Sequence, residues 1–281
     1  MRTLARHSNK YFALTNMPSF PIIVDTQFVE NVSTKGNRCG VTFSPPLQIP
    51  TTANPRLRLY SSSFAYNFPN VSTEFENNTL VIDRMSSLSV LGHRHTVTFN
   101  DGLYGSLDDI AQVIKHSINS DANFAELVIN FIPVTATQKV HVEVINGHTD
   151  TLKLSFTAAN SIGSLIGFTA DKFFTANTTA TRESDTTASL DRTTSVLVQT
   201  SLCSGSIVAG KGGQSTLAMI HLAAFSPASV IAFSPNNMLE VPAPNIAGAS
   251  ITNATFALVN QNNEDLSTLN EQWQLVVEIV W

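Results

Sequence analysis

The chain has 281 residues, 43% of them apolar and 13% charged, with a formal net charge of −5 from 16 Lys and Arg against 21 Asp and Glu. The balance excludes a body that binds nucleic acid by releasing counterions. The charged share is about half the usual ~25%, with Ser, Thr and Asn in its place. Such a surface is expected to be covered by partner subunits, since a free monomer normally keeps a densely charged one. A secreted Ser/Thr-rich β protein is the alternative that composition leaves open.

In chain order, MRTLARHSNK comes first, with Arg2, Arg6 and Lys10 and no acid. No apolar run long enough for a secretory signal follows, and no stretch of about 18 uncharged apolar residues occurs. Residues 1–24 therefore read as a flexible basic arm on a soluble chain made in the cytosol. Cys39 and Cys203 are the only cysteines, lie far apart and belong to no CxxC pair, so they read as reduced, packed thiols. Sequons at Asn31, Asn70, Asn77, Asn177 and Asn253 would matter only in a secreted protein.

Strands are predicted at 26–31, 38–43, 55–67, 78–83 and 95–100 from short apolar runs between Pro-, Gly- and Asn-rich breaks. In DGLYGSLDDIAQVIKHSINSD, Leu107, Ile110, Ala111, Ile114 and Ile118 lie on one face of the one clear amphipathic helix. Ser106 and Asp109 supply a capping box, and Asp108 joins Asp109 at the positive end of the dipole. Three strands follow, at 126–132, 139–144 and 151–156. SIGSLIGF is then a short helical turn that Gly167 closes in the left-handed conformation. Residues 169–194 read as a long polar surface loop. A second set of strands follows at 195–202, 215–223, 229–233 and 254–260. In the last segment, EQWQLVVEIVW, Trp273, Leu275, Val277, Ile279 and Trp281 alternate toward a core.

This order predicts a mainly β chain. It would be an antiparallel jelly-roll sandwich with an inserted helix-plus-strands subdomain: first half 25–100, insert 101–194, second half 195–281. The last strand is then held between earlier ones.

No constellation amounts to a catalytic or metal site. In GSIVAGKGG, Gly205, Gly210 and Lys211 have P-loop spacing, but Gly212 stands where Ser or Thr would hold magnesium and no helix follows. His93 and His95 share a strand face and supply half a zinc set, with no partners in spacing among the other histidines. Asp108 and Asp109 point about 100° apart on a helix and cannot share a substrate. The GSL triplets at 105–107 and 163–165 lack the second glycine of a nucleophile elbow. No enzyme, cofactor or metal is expected.

Three stretches, taken together and in order, carry a resemblance. They are VTFSPPLQIPTTANPRLRLYSSSFAYNFPNVS (41–72), HTVTFNDGLYGSLDDIAQVIKHSI (95–118) and TLKLSFTAANSIGSLIGF (151–168). The set resembles the penton, or vertex-type, jelly-roll capsid proteins of tailless icosahedral DNA viruses, the lineage of virophages, Polinton-like viruses and, more distantly, adenoviruses. The resemblance implies a structural virion protein, found in the capsid, that forms a homopentamer at the vertices. Its partners would be the major capsid protein and a spike or minor capsid protein, with the basic arm contacting genome or an internal membrane. It implies no catalytic residues. Two alternatives stay open: a compact double-jelly-roll major capsid protein, which would be trimeric, and a spike or attachment protein that binds a receptor or glycan. Against a sugar platform, Trp273 and Trp281 both fall on the core-facing side of the last strand.

Overall fold

The computed structural model describes residues 19–29, 31–87, 90–204, 206–208 and 211–281. Its strands are β1 (Ser19–Asp25), β2 (Asn31–Val32), β3 (Arg38–Gln48), β4 (Arg56–Ala65), β5 (Thr79–Ser87), β6 (Val90–Thr98), β7 (Leu127–Val134), β8 (Lys139–Asn146), β9 (Thr151–Ser155) and β10 (Lys172–Phe174). These continue with β11 (Thr178–Glu183), β12 (Ser195–Thr200), β13 (Ser206–Val208), β14 (Lys211–Gln214), β15 (Thr216–His221), β16 (Val230–Phe233), β17 (Val241–Pro242), β18 (Ser250–Asn260) and β19 (Gln274–Val280). Among the described residues the one α-helix, α1, is Leu107–Asn119. No helix among the described residues is long and apolar enough to cross a membrane.

Two five-stranded antiparallel sheets face each other. The front sheet runs β1-β19-β4-β16, with β17 also on β4, and the back sheet runs β15-β12-β18-β3-β2. Counted along the chain, the eight principal strands β1, β3, β4, β12, β15, β16, β18 and β19 fall into the orders first-eighth-third-sixth and fifth-fourth-seventh-second. That interleaving of chain ends is a jelly roll. It explains why the last strand tolerates its position: β19 is bonded on one side to β1 and on the other to β4, so both backbone edges are satisfied. The alternation predicted for this strand is realised, with Leu275, Val277 and Ile279 fully buried against Phe256, Val198 and Leu258 of the back sheet. Trp273 seals one end of this core, donating from Nε1 to the carbonyl of Gly36 at 2.7 Å. Gly36 is at φ +74, and a Cβ there would lie 2.2 Å from Thr268 Oγ1, so no side chain fits.

A second core lies between β4 and β12 in the sequence. One sheet runs β10-β9-β5-β6 and another β11-β8-β7. With α1 they enclose Leu80, Ile82, Phe99, Phe124, Val142, Leu154, Phe168 and their neighbours. The predicted capping box forms: Asp109 N donates to Ser106 Oγ and Ser106 N to Asp109 Oδ2, while Ile110, Ile114 and Ile118 turn inward. Gly167 adopts φ +84 as expected.

The pairing divides the chain differently from the expected partition. β5 and β6, expected in the first half of the jelly roll, pair with each other, β5 pairs with β9 on its other side, and their inward residues belong to the second core. The sandwich is thus drawn from residues 19–70 and 193–281, and the insert from 71–192. Residues 19–24 of the expected arm form most of β1. Ile22 and Val24 are buried there, and Pro21 is tolerated because β1 is an edge strand. Residues 26–29 form a turn instead of a strand, with Asp25 accepting from the Gln27 and Phe28 amides. The predicted loop 169–194 contains β10 and β11. The side chains of β11 stay outside while its backbone pairs with β8, so no apolar alternation marks it. Phe174 is nevertheless fully buried, so deleting 169–194 is expected to disrupt the insert and not, as a surface loop would, to leave it intact.

The two cores meet at a polar neck. The Asn70 side chain is buried there. Its Nδ2 donates to the carbonyls of Tyr104 (2.9 Å) and Leu190 (2.8 Å), and its Oδ1 accepts from Tyr104 N (2.9 Å). One amide therefore joins the strand leaving the sandwich to the segment returning to it.

Candidate assembly surface

The weighed chemical motifs disperse. Lys211–Gln214 is a strand paired with Ser206–Val208, and the segment after it is another strand, so no helix aims amides at a phosphate. Gly205 and Gly210 lie outside the described residues, as do Arg2, Arg6 and Lys10. Both ring nitrogens of His95 are engaged, Nδ1 with Asp121 (3.1 Å) and Nε2 with Ser117 (2.9 Å), pinning β6 to α1, while His93 is exposed. Hydrogen bonds from Asn123, its backbone amide first, hold the Asp121 carboxyl below its ordinary range, and His95 adds to them. Asp108 and Asp109 begin the helix. Among the described residues no group of His, Cys, Asp and Glu is arranged to hold a metal ion. Cys39 and Cys203 are free and buried, and burial pushes their thiols up to about 12 and about 11. Trp273 is buried and Trp281 packs against the sandwich core, so neither offers a platform.

What the structure does bring together is a pair of broad sheet faces poor in charge. Residues 19–70 and 193–281 hold 12 Asp, Glu, Lys and Arg in 141 positions, and residues 71–192 hold 22 in 122. Part of the insert's charge is set in ion pairs. Arg94 grips Asp83 at 2.7 Å, Lys153 meets Asp171 at 2.7 Å, Lys139 meets Glu183 at 2.9 Å and Lys172 meets Asp185 at 2.6 Å. The last pair, with amide donors from Thr169 and Ala170, holds the Asp185 carboxyl down to about 2.

On the front sheet the outward row Ile23, Val276 and Ser61 runs across β1, β19 and β4, followed by Asp25, Gln274, Ser63 and Ala232. Ile23 is 73% exposed and Val230, at the far edge, 71%. Tyr60, half exposed, sits where the β4/β19 register shifts. Between Ile23 and Phe233 the small side chains leave a groove of about 290 Å³. The charges of this face lie at its two ends: Asp25, which accepts from Gln274 (2.7 Å), at one, and at the other Arg58 on Glu278 (2.8 Å) and Arg56 on Glu240 (3.1 Å).

The back sheet has the opposite relief. Gly40, Thr255, Ala257 and Gln199 form the outward floor of a recess of about 560 Å³, with Val32 and Ser201 on its wall. The Arg38 guanidinium at its rim is spent on Asp265, at 2.6 and 2.8 Å. Hydroxyls, amides and methyl groups dominate both faces. Such surfaces cost less to desolvate than charged ones and carry little repulsive charge against a copy of themselves. The low total charge was visible in the sequence; the concentration of charge in the insert was not, because the boundaries at 71 and 192 come from strand pairing.

No family model matches this chain, and no curated protein matches it in sequence. Among solved structures it is similar to the selenomethionine-labelled mavirus penton protein, at 10% identity over 93% of this chain and 98% of that one, with a TM-score of 0.48. The jelly-roll assignment rests on the strand order itself.

Proposed function

We propose that this chain is a structural capsid protein of a virion. More finely, it is the vertex, or penton, subunit of a tailless icosahedral DNA virus, closing into a ring of sister copies and contacting the major capsid protein around it. The observation that carries the reading is the jelly-roll sandwich whose residues carry about half the charge density of its own insert. Each copy offers a front face with projecting Ile23, Tyr60 and Val230 and a back face with a recess. A head-to-tail contact between unlike faces closes a ring when the rotation permits. The ordered resemblance of residues 41–72, 95–118 and 151–168 to penton-type proteins supports the same reading. The insert, 71–192, is proposed as a separate folding unit that stays in solvent. Its sheets do not repeat the jelly-roll order, which favours the vertex reading over a double-jelly-roll shell protein. The inward Trp273 gives the attachment reading no aromatic platform. No catalytic role is proposed.

Native mass measurement of the purified protein tests this. A fivefold ring is the expected result, a threefold ring would move the assignment to a shell protein, and a monomer at micromolar concentration would sink it.

A further inference from the structure

The end of the insert at which α1 terminates is assembled from several chain turns by one connected set of bonds. Arg84 on β5 donates through Nη1 to the carbonyl of Asn123 (2.6 Å) and through Nη2 to Asp150 (2.8 Å). Asn146 Nδ2 donates to the carbonyls of Asp150 (2.9 Å) and Thr175 (3.2 Å). His148 N donates to Asn146 Oδ1 (3.1 Å), and the His148 carbonyl accepts from Asn177 N (3.0 Å). The turn 146–150 thus ties β5, the segment after α1 and the β10–β11 turn to one another. β6 passes close by: a Cβ at Gly92 would lie 3.2 Å from the Arg84 carbonyl.

Two side-chain nitrogens in this assembly are buried without a partner, Arg84 Nε and His148 Nε2. A neutral imidazole can leave Nε2 as a bare acceptor there. A protonated one must place an N–H in the same sealed position with no acceptor, and a second positive charge near Arg84, whose Asp150 partner is already engaged. We infer that His148 is a proton-operated latch: neutral, it lets the turn 146–150 hold this end of the insert closed, and protonated, it releases it.

The groups that bear on it are Arg84 from β5, Glu126 from the segment before β7 and Asp150 on its own turn; exposed His93 is paired across from Arg84 on β6. Burial is the main cause holding the His148 pKa below its ordinary value, and Arg84 adds to it; Glu126 and Asp150 pull the other way. For a histidine depressed in the closed state, the open state takes up the proton first. Closure is therefore complete above the ordinary histidine pKa and weakens as pH falls below it. The inference is independent of the capsid reading.

Hydrogen exchange of the full chain at pH 7.5 and 5.5, expressed as protection factors so that the intrinsic pH dependence divides out, tests it. Protection of the His148 and Asn177 amides is expected to fall about threefold or more at pH 5.5, with β19 unchanged. His148→Gln should abolish the response and His93→Gln should preserve it. Unchanged protection in the parent chain, or a response that survives His148→Gln, overturns the latch. If His148→Gln does not fold, the imidazole titration of the parent chain by NMR decides: a midpoint below the free value of about 6.5 supports the latch, and one at or above it overturns the latch.

Discussion

The sandwich and the insert differ in how they dress cores of the same kind. Both cores are built from Ile, Leu, Val and Phe on alternating strand positions. Yet the outward rows of the front sheet read Ile23, Val276, Ser61 and Asp25, Gln274, Ser63, Ala232, with one charge in seven positions, whereas across β6, β5 and β9 the outward row reads Arg94, Asp83 and Lys153. Individual surface ion pairs stabilise little, typically under ~1 kcal/mol. Their value lies in solubility, which a buried face does not need. On the proposed function, the difference in charge density separates the part that meets sister copies from the part that meets water.

The largest expected effects test whether the two cores are separate. Trp273→Ala removes the buried indole and its bond to Gly36, and should destabilise the sandwich by about 3–5 kcal/mol. Urea unfolding followed by hydrogen exchange should then show β19 losing protection while α1 and β8 keep theirs. Loss of both at the same denaturant concentration would break the comparison. Ile114→Ala, in the other core, should cost about 2–5 kcal/mol with the order reversed and the oligomer mass unchanged. Asn70→Ala leaves backbone groups of Tyr104 and Leu190 unpaired and should cost about 1–3 kcal/mol, with limited proteolysis newly cutting near the neck. The smallest effect is acid. Asp121, Asp171, Glu183 and Asp185 in the insert are held below the ordinary carboxylate range by hydrogen bonds and neighbouring cations, whereas Asp265 and Glu278 are the depressed acids of the sandwich. A depressed carboxyl stabilises above its unfolded pKa and stops doing so as pH falls through its folded one. Between pH 4 and 2 the insert should therefore lose hydrogen-exchange protection before the sandwich. Equal or reversed loss would show that these pairs do not matter.

Where the sequence was legible, a local rule was sufficient. The alternation from Trp273 to Ile279 and the Ser106/Asp109 box each specify their own element, and both formed. Partner choice was less legible. The apolar periods of 78–83 and 95–100 mark strands but cannot say which sheet receives them, so β5 and β6 were expected in the wrong layer. β11 gives no periodic signal because it contributes backbone bonds and few buried side chains. Asn70 reads as one of five sequons, and its role is invisible because its partners are carbonyls 34 and 120 residues away. The candidate surface fell between these cases: a charge-poor total pointed to coverage, while the faces emerged only once distant strands were paired.

Native mass spectrometry of two single substitutions tests the central claim most directly. Ile23→Glu places a carboxylate on the front face of the sandwich, and Val128→Glu, on an insert residue 43% exposed, places one on the surface assigned to solvent. The ring is expected to fall apart with the first and persist with the second. A ring that survives Ile23→Glu and dissociates with Val128→Glu would put the contact on the insert and contradict the account.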